Sequence, residues 1–170
     1  MSLSAVQFGR AARLGFSLGR GGAPSRVLMG TAAPLPELEL GPAVVRAGRR
    51  MREQGVPQLE ALVRDLPGWP ALPDFAACAR AGHAAICAQG TDGGFHRALF
   101  AQFLDEAQAA EPALALGRTA HDYRELAWQW RELGEAMQLA SRDGAWDGMA
   151  AHAALLCERE RALAARLAAL

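Results

Sequence analysis

Apolar residues recur along this chain at helical rather than alternating spacing. Val44, Val45, Gly48 and Met51 share one face of a helix that Pro42 can open and Gly55 can close. Leu59, Leu62, Val63 and Leu66 form the stripe of a second helix, starting near Pro57 and stopped by Pro67. In the turn PGWPALP that follows, Trp69 is expected to plug the core. Asp74 can cap a third helix running to about Gln89. A fourth is expected from about Gly94 to Glu111, with Phe95, Leu99, Phe103 and Leu104 along its stripe. Pro112 restarts the chain into a long helix carrying Leu116, Tyr123, Leu126, Ala127, Trp130, Leu133 and Met137, which Asp143 and Gly144 end. A last helix from Trp146 repeats Met149, Ala153, Leu156, Leu163 and Leu167.

Before these helices the signals are weaker. Ser4 can cap a short helix ending near Gly15, residues 15–25 read as a loop, 26–29 as a strand, and Pro34 to Pro36 as extended chain. The glycines of that loop lack the Gly-Lys-Ser/Thr ending of a phosphate-binding loop, so a connector is the preferred reading. The expectation is an all-α fold, an antiparallel bundle of five to six helices over residues 36–170, preceded by a basic segment over 1–35 that is partly loop.

Composition supports the class: about half of the 170 residues are apolar, but they are mainly Ala and Leu, with few aromatic or β-branched side chains. Formal charge is zero yet unevenly placed, because residues 1–52 hold eight Arg against two Glu and the remainder carries the opposite excess. Zero net charge without a basic recognition helix disfavours nucleic acid. Charged side chains interrupt every Ala/Leu run, so no membrane span is expected. Three cysteines without short paired spacing point to a reducing cytoplasm rather than a disulfide scaffold.

Candidate chemistry is sparse. His83 and Cys87 are four residues apart on one helical face, close enough for a base to support a thiolate. Their Ala-rich surroundings favour packing, and Cys78, Cys87 and Cys157 are all expected to be dispensable for chemistry. Spacings of five and four among Cys78, His83 and Cys87 do not surround one zinc ion, so neither metal nor cofactor is expected. Asp105 and Glu106 point apart on a helix, and His121, Asp122 and Glu125 read as a solvated cluster. The distinctive segment is GTDGGFHRALFAQFLDEA, residues 90–107, whose glycines allow positive φ and whose helix N-terminus suits an anion. Arg97 in that first turn would pair with such an anion, or with Asp92 in a purely structural turn.

Gly90, Thr91, Gly93, Gly94, Arg97, Phe103, Leu104, Glu106 and Ala107 resemble the signature of the helical domain that follows the cysteine-peptidase-like domain in the butirosin biosynthesis protein H family. Asp92, His96 and Phe100 depart from its pattern, while LEALVRDLPGW upstream and Trp130, Glu132 and Leu133 downstream extend the likeness over about residues 36–165. The resemblance implies a companion to an acyltransferase of natural-product biosynthesis, whose nucleophilic cysteine lies in the other domain. It implies a ligand- or partner-binding site of Gly90, Thr91, Asp92, Gly93, Gly94, Arg97 and Glu106, facing a cysteine-bearing partner or an acyl-carrier protein, with homo-oligomerisation also open. The alternatives are a stand-alone acyltransferase or hydrolase using its own cysteine, and a structural helical adaptor.

Overall fold

A computed structural model describes residues 39–88 and 94–170. The expectations for the Ser4 helix, the 26–29 strand, the Pro34–Pro36 stretch, the end at Gln89 and the glycine turn at 90–93 lie outside the described residues. Within them the protein is all-α, and the elements are helices α1 (Leu40–Arg50), α2 (Val56–Asp65), α3 (Phe75–His83), α4 (Arg97–Ala110), α5 (Gly117–Asp143) and α6 (Met149–Ala168).

Gly55 does not close the first helix. Met51–Gly55 form a π-helical turn in which Gly55 keeps right-handed helical angles, so α1 and α2 continue as one rod. The Met51 sulfur lies 2.2 Å from where a Cβ on Gly55 would stand, so the missing side chain is used for packing rather than for a stop. The rod ends as expected at the prolines, where Leu66–Ala71 tighten into a 3₁₀ turn.

Trp69 is only half-buried and does not plug the core. It stacks on Trp146, ring centroids 5.5 Å apart, and Trp146 is the buried partner, donating its Nε1–H to Leu66 O at 2.8 Å. Tertiary structure thus seats Trp146 rather than Trp69 inside, where its indole N–H finds a carbonyl. Asp74 occupies the position before α3 but makes no side-chain capping bond.

Helix α5 is the hub: α3, α4 and α6 all pack on it, and α6 carries the α1–α2 rod on its other side. The pairings run antiparallel throughout. Asp122 meets Arg166 while Gln129 meets Arg159 across α5 and α6, and Gly48 touches Leu167 while Glu60 meets Arg161 across the rod and α6. The buried stripe of α5 is the expected one, Tyr123, Leu126, Ala127, Trp130, Leu133 and Met137, and Gly144 ends the helix at φ +77°. On α4, which begins at Arg97 and not at Gly94, Leu104 is buried as expected, but Ala101 and Ala107 complete the buried stripe and Leu99 is exposed.

Candidate functional site

Gly94, Phe95 and His96 all have positive φ, at 91°, 54° and 64°. Gly94 is obligatory there, since a Cβ would stand 2.3 Å from Ala127 O. Phe95 and His96 carry real backbone strain, which the surroundings offset. The N–H groups of Gly94 and Phe95 both donate to Ile86 O, at 2.8 and 3.2 Å, and the Phe95 ring packs edge-on against Trp130 with centroids 5.1 Å apart. These two amides are consumed inside the protein and are not available to an anion; the glycines at 90 and 93 lie outside the described residues.

The turn aims Arg97 inward. Its Nε donates to Glu160 Oε1 at 2.6 Å, its Nη1 to Phe95 O at 2.6 Å, and its Nη2 lies 4.0 Å from Met51 Sδ. Among the described residues the partner of Arg97 is a carboxylate on α6, 63 residues away; Asp92 lies outside them. Glu160 is fully buried, and Trp130 Nε1–H donates to the same Oε1 at 2.9 Å. Glu160 Oε2 is buried with no hydrogen-bond partner among the described residues. An orphaned carboxylate oxygen in an interior is costly, on the order of 1–3 kcal/mol, unless something else reaches it.

Something can. A cavity of about 450 Å³ lies between the rod, the strained turn, α5 and α6, and Glu160, Arg97, Tyr123, His96, Arg50 and Gln54 are among the residues lining it. Tyr123 is buried on its wall, and desolvation, with the Glu160 charge second, pushes its phenol well above the ordinary value, so it is a neutral hydroxyl. His96, which departs from the pattern of the resembled family, borders the cavity. Glu106 does not: it is exposed on α4 and accepts from Gln102 Nε2 at 2.8 Å. Of the expected site residues, the described structure therefore brings Gly94 and Arg97 together and leaves Glu106 apart. Glu160, Tyr123 and Arg50 were missed. The one sequence signal was that Glu160 falls in register with Ala153, Leu156, Leu163 and Leu167, an acid on an apolar stripe.

The other candidate groups resolve differently. Asp105 pairs with Arg124, and Asp122 with Arg166, so neither belongs to an acid–base pair. Cys157 is buried, and desolvation raises its thiol. Cys87 is half-buried and points its Sγ at Arg131 O, 3.8 Å away; burial first, then the Glu135 charge, raises its thiol as well. The His83 Nδ1 sits 3.1 Å from Gly134 O, which only accepts, so Nδ1 carries the proton and donates it there. Among the described residues no helix is long and apolar enough to cross a membrane.

A family model described as Domain of unknown function (DUF4872) matches residues 32–167, which is most of the chain and includes every residue of the cavity. The chain belongs to the DUF4872 family. No curated protein and no solved structure matches it. The DUF4872 match thus covers the entire helical assembly from α1 to the last turn of α6, with the strained turn and the Arg97–Glu160 pair at its centre.

Proposed function

We propose that this DUF4872 domain is a noncatalytic binding component, a helical companion in a butirosin-H-like acyl-transfer system of natural-product biosynthesis, working in the cytoplasm. Its cavity receives the hydrogen-bond-donating head, an amine or hydroxyl, of a group presented by a cysteine-bearing partner or an acyl-carrier protein. The observation that carries this reading is Glu160 Oε2, a buried acceptor without a partner among the described residues, on a residue that lines a cavity large enough for a small polar molecule, to which a turn of the carboxylate would present it. Arg97 and Trp130 already saturate Oε1, so the remaining demand is for a donor and not for an anion. That inverts the polarity expected from the helix N-terminus alone. The raised thiols of Cys87 and Cys157 support leaving the nucleophile to the partner.

A charge-assisted bond from an ammonium to a buried carboxylate contributes about 1.5–3 kcal/mol, or roughly tenfold or more in affinity. Calorimetric titration of the full chain with an aminoglycoside and with its N-acetylated counterpart tests the reading. The free amine should bind at least about tenfold more tightly, and Ala47→Phe, which fills the cavity from the rod, should abolish both while leaving the melting temperature near that of the native chain. Equal affinity for the two compounds, or binding that survives Ala47→Phe, is incompatible with a donor-seeking cavity.

A further inference from the structure

The end of α3 carries a second cluster, on the side of α5 that faces α3. His83 is the last residue of α3, and Ala84–Ala88 continue it as a π-helical turn, so His83 and Cys87 stay on one side of the same winding. Antiparallel packing brings Gly134 and Glu135 of α5 past them. A ring nitrogen of His83, Cys87 Sγ and a Glu135 carboxylate oxygen lie within 4.8 Å of one another, with the first two residues half-buried and Glu135 exposed. From spacing alone the third partner was sought in Cys78; the fold supplies Glu135 instead.

We propose that His83, Cys87 and Glu135 bind a borderline-soft divalent cation, Zn²⁺ foremost, which clips the end of α3 to α5. One nitrogen, one sulfur and one carboxylate oxygen are the donors zinc takes, and three protein ligands leave a fourth position for water. Gly134 shapes the site twice. Any side chain on it would begin 2.5 Å from Cys87 Sγ, so its absence lets the thiol lie against α5. Its carbonyl takes the Nδ1 proton of His83, which fixes the tautomer whose Nε2 lone pair is available to a metal, the usual outer support of a ligating histidine. Ligand atoms in a tetrahedral zinc site stand about 3–4 Å apart, so closure needs side-chain shifts of about 1 Å, which the exposed Glu135 can make. On binding, the Cys87 S–H bond breaks, its proton passes to solvent, and the sulfur electron pair forms the bond to the cation.

Cobalt is the probe, because a thiolate-to-cobalt charge-transfer band reports the sulfur ligand directly. Full-length chain is freed of metal with a chelator and titrated with Co²⁺. The expected result is one equivalent bound with that band and visible ligand-field bands of tetrahedral intensity, displaced by Zn²⁺, and a higher melting temperature with Zn²⁺ than with chelator. Cys87→Ser should remove the charge-transfer band, and Glu135→Gln, an exposed change that spares folding, should weaken Co²⁺ binding at least about tenfold. The absence of a one-equivalent band, its persistence in Cys87→Ser, or unaltered affinity in Glu135→Gln each overturns the site. A chain that shows no cobalt spectrum while Cys87 is alkylated faster than Cys78 assigns the cluster to thiol chemistry instead.

Discussion

Removing Arg97 from its pair with Glu160 leaves a carboxylate buried against Trp130 with one remaining donor, and an uncompensated buried charge is among the few single-residue defects that cost several kcal/mol. Arg97→Gln should therefore lower unfolding stability by about 3 kcal/mol in chemical denaturation, and the melting temperature by roughly 6–12 °C. Because Arg97 retains some solvent access while Glu160 has none, the loss comes mainly from Glu160. A donor-bearing ligand would bind the variant with altered affinity, since Glu160 would then keep only the Trp130 donor on Oε1. Tyr123 and Cys157 make a separate prediction about pH. Burial raises both groups above their ordinary values of 10.0 and 9.0, so the folded state holds their protons more tightly than the unfolded chain does. Their contribution is intact below pH ~9 and is lost as pH rises beyond it. Stability measured across pH 7–11 should fall above about pH 9, and Cys157→Ala with Tyr123→Phe should flatten that fall.

At the level of elements, the start of α4 is set by the strained turn and not by helix propensity. Gly94 at φ +91° against Ala127 O, with Phe95 anchored on Trp130, places Arg97 at the first helical position and turns it toward α6. Gly94→Ala should cost on the order of 1–3 kcal/mol, because the new Cβ meets both an unfavourable φ and a backbone oxygen. Circular dichroism during urea unfolding checks this, and a variant as stable as the native chain would show that the turn relaxes freely. By contrast Gly144, also left-handed, has nothing near its Cβ position, so Gly144→Ala should lose only about 1 kcal/mol. The comparison separates conformational strain from steric exclusion at two glycines of similar φ.

At the scale of the assembly, and among the described residues, three solvent-accessible ion pairs join helices: Glu60 with Arg161, Asp122 with Arg166 and Asp105 with Arg124. All are between about one-third and one-half exposed, so each contributes at most ~1 kcal/mol and is screened by salt. Their effect is on register, since each pair is satisfied in only one antiparallel alignment. Raising NaCl from 0.05 to 1 M should accordingly change unfolding free energy by no more than ~2 kcal/mol, whereas the buried core and the Arg97–Glu160 pair should be indifferent to it. A larger loss in a salt series of denaturant curves would mean that the surface pairs carry the assembly.

Periodicity alone determined that this chain is helical, and it located α5, α6 and the ends at Gly144 and the Pro67 turn, because apolar spacing and Gly or Pro punctuation are local properties. Composition likewise gave the Ala-rich contacts that let helices approach closely. What the sequence could not determine was which side chains meet. Arg97 was legible as unusual, but its partner stands 63 residues on, and Glu135 is 48 residues from Cys87. Continuity through Gly55, the seating of Trp146 rather than Trp69 inside, and the three-residue delay of α4 were likewise decided only by packing. Each depends on whether a neighbouring helix offers a carbonyl, a sulfur or a carboxylate at one spot, and that is settled by how five antiparallel contacts close around α5 and α6 together.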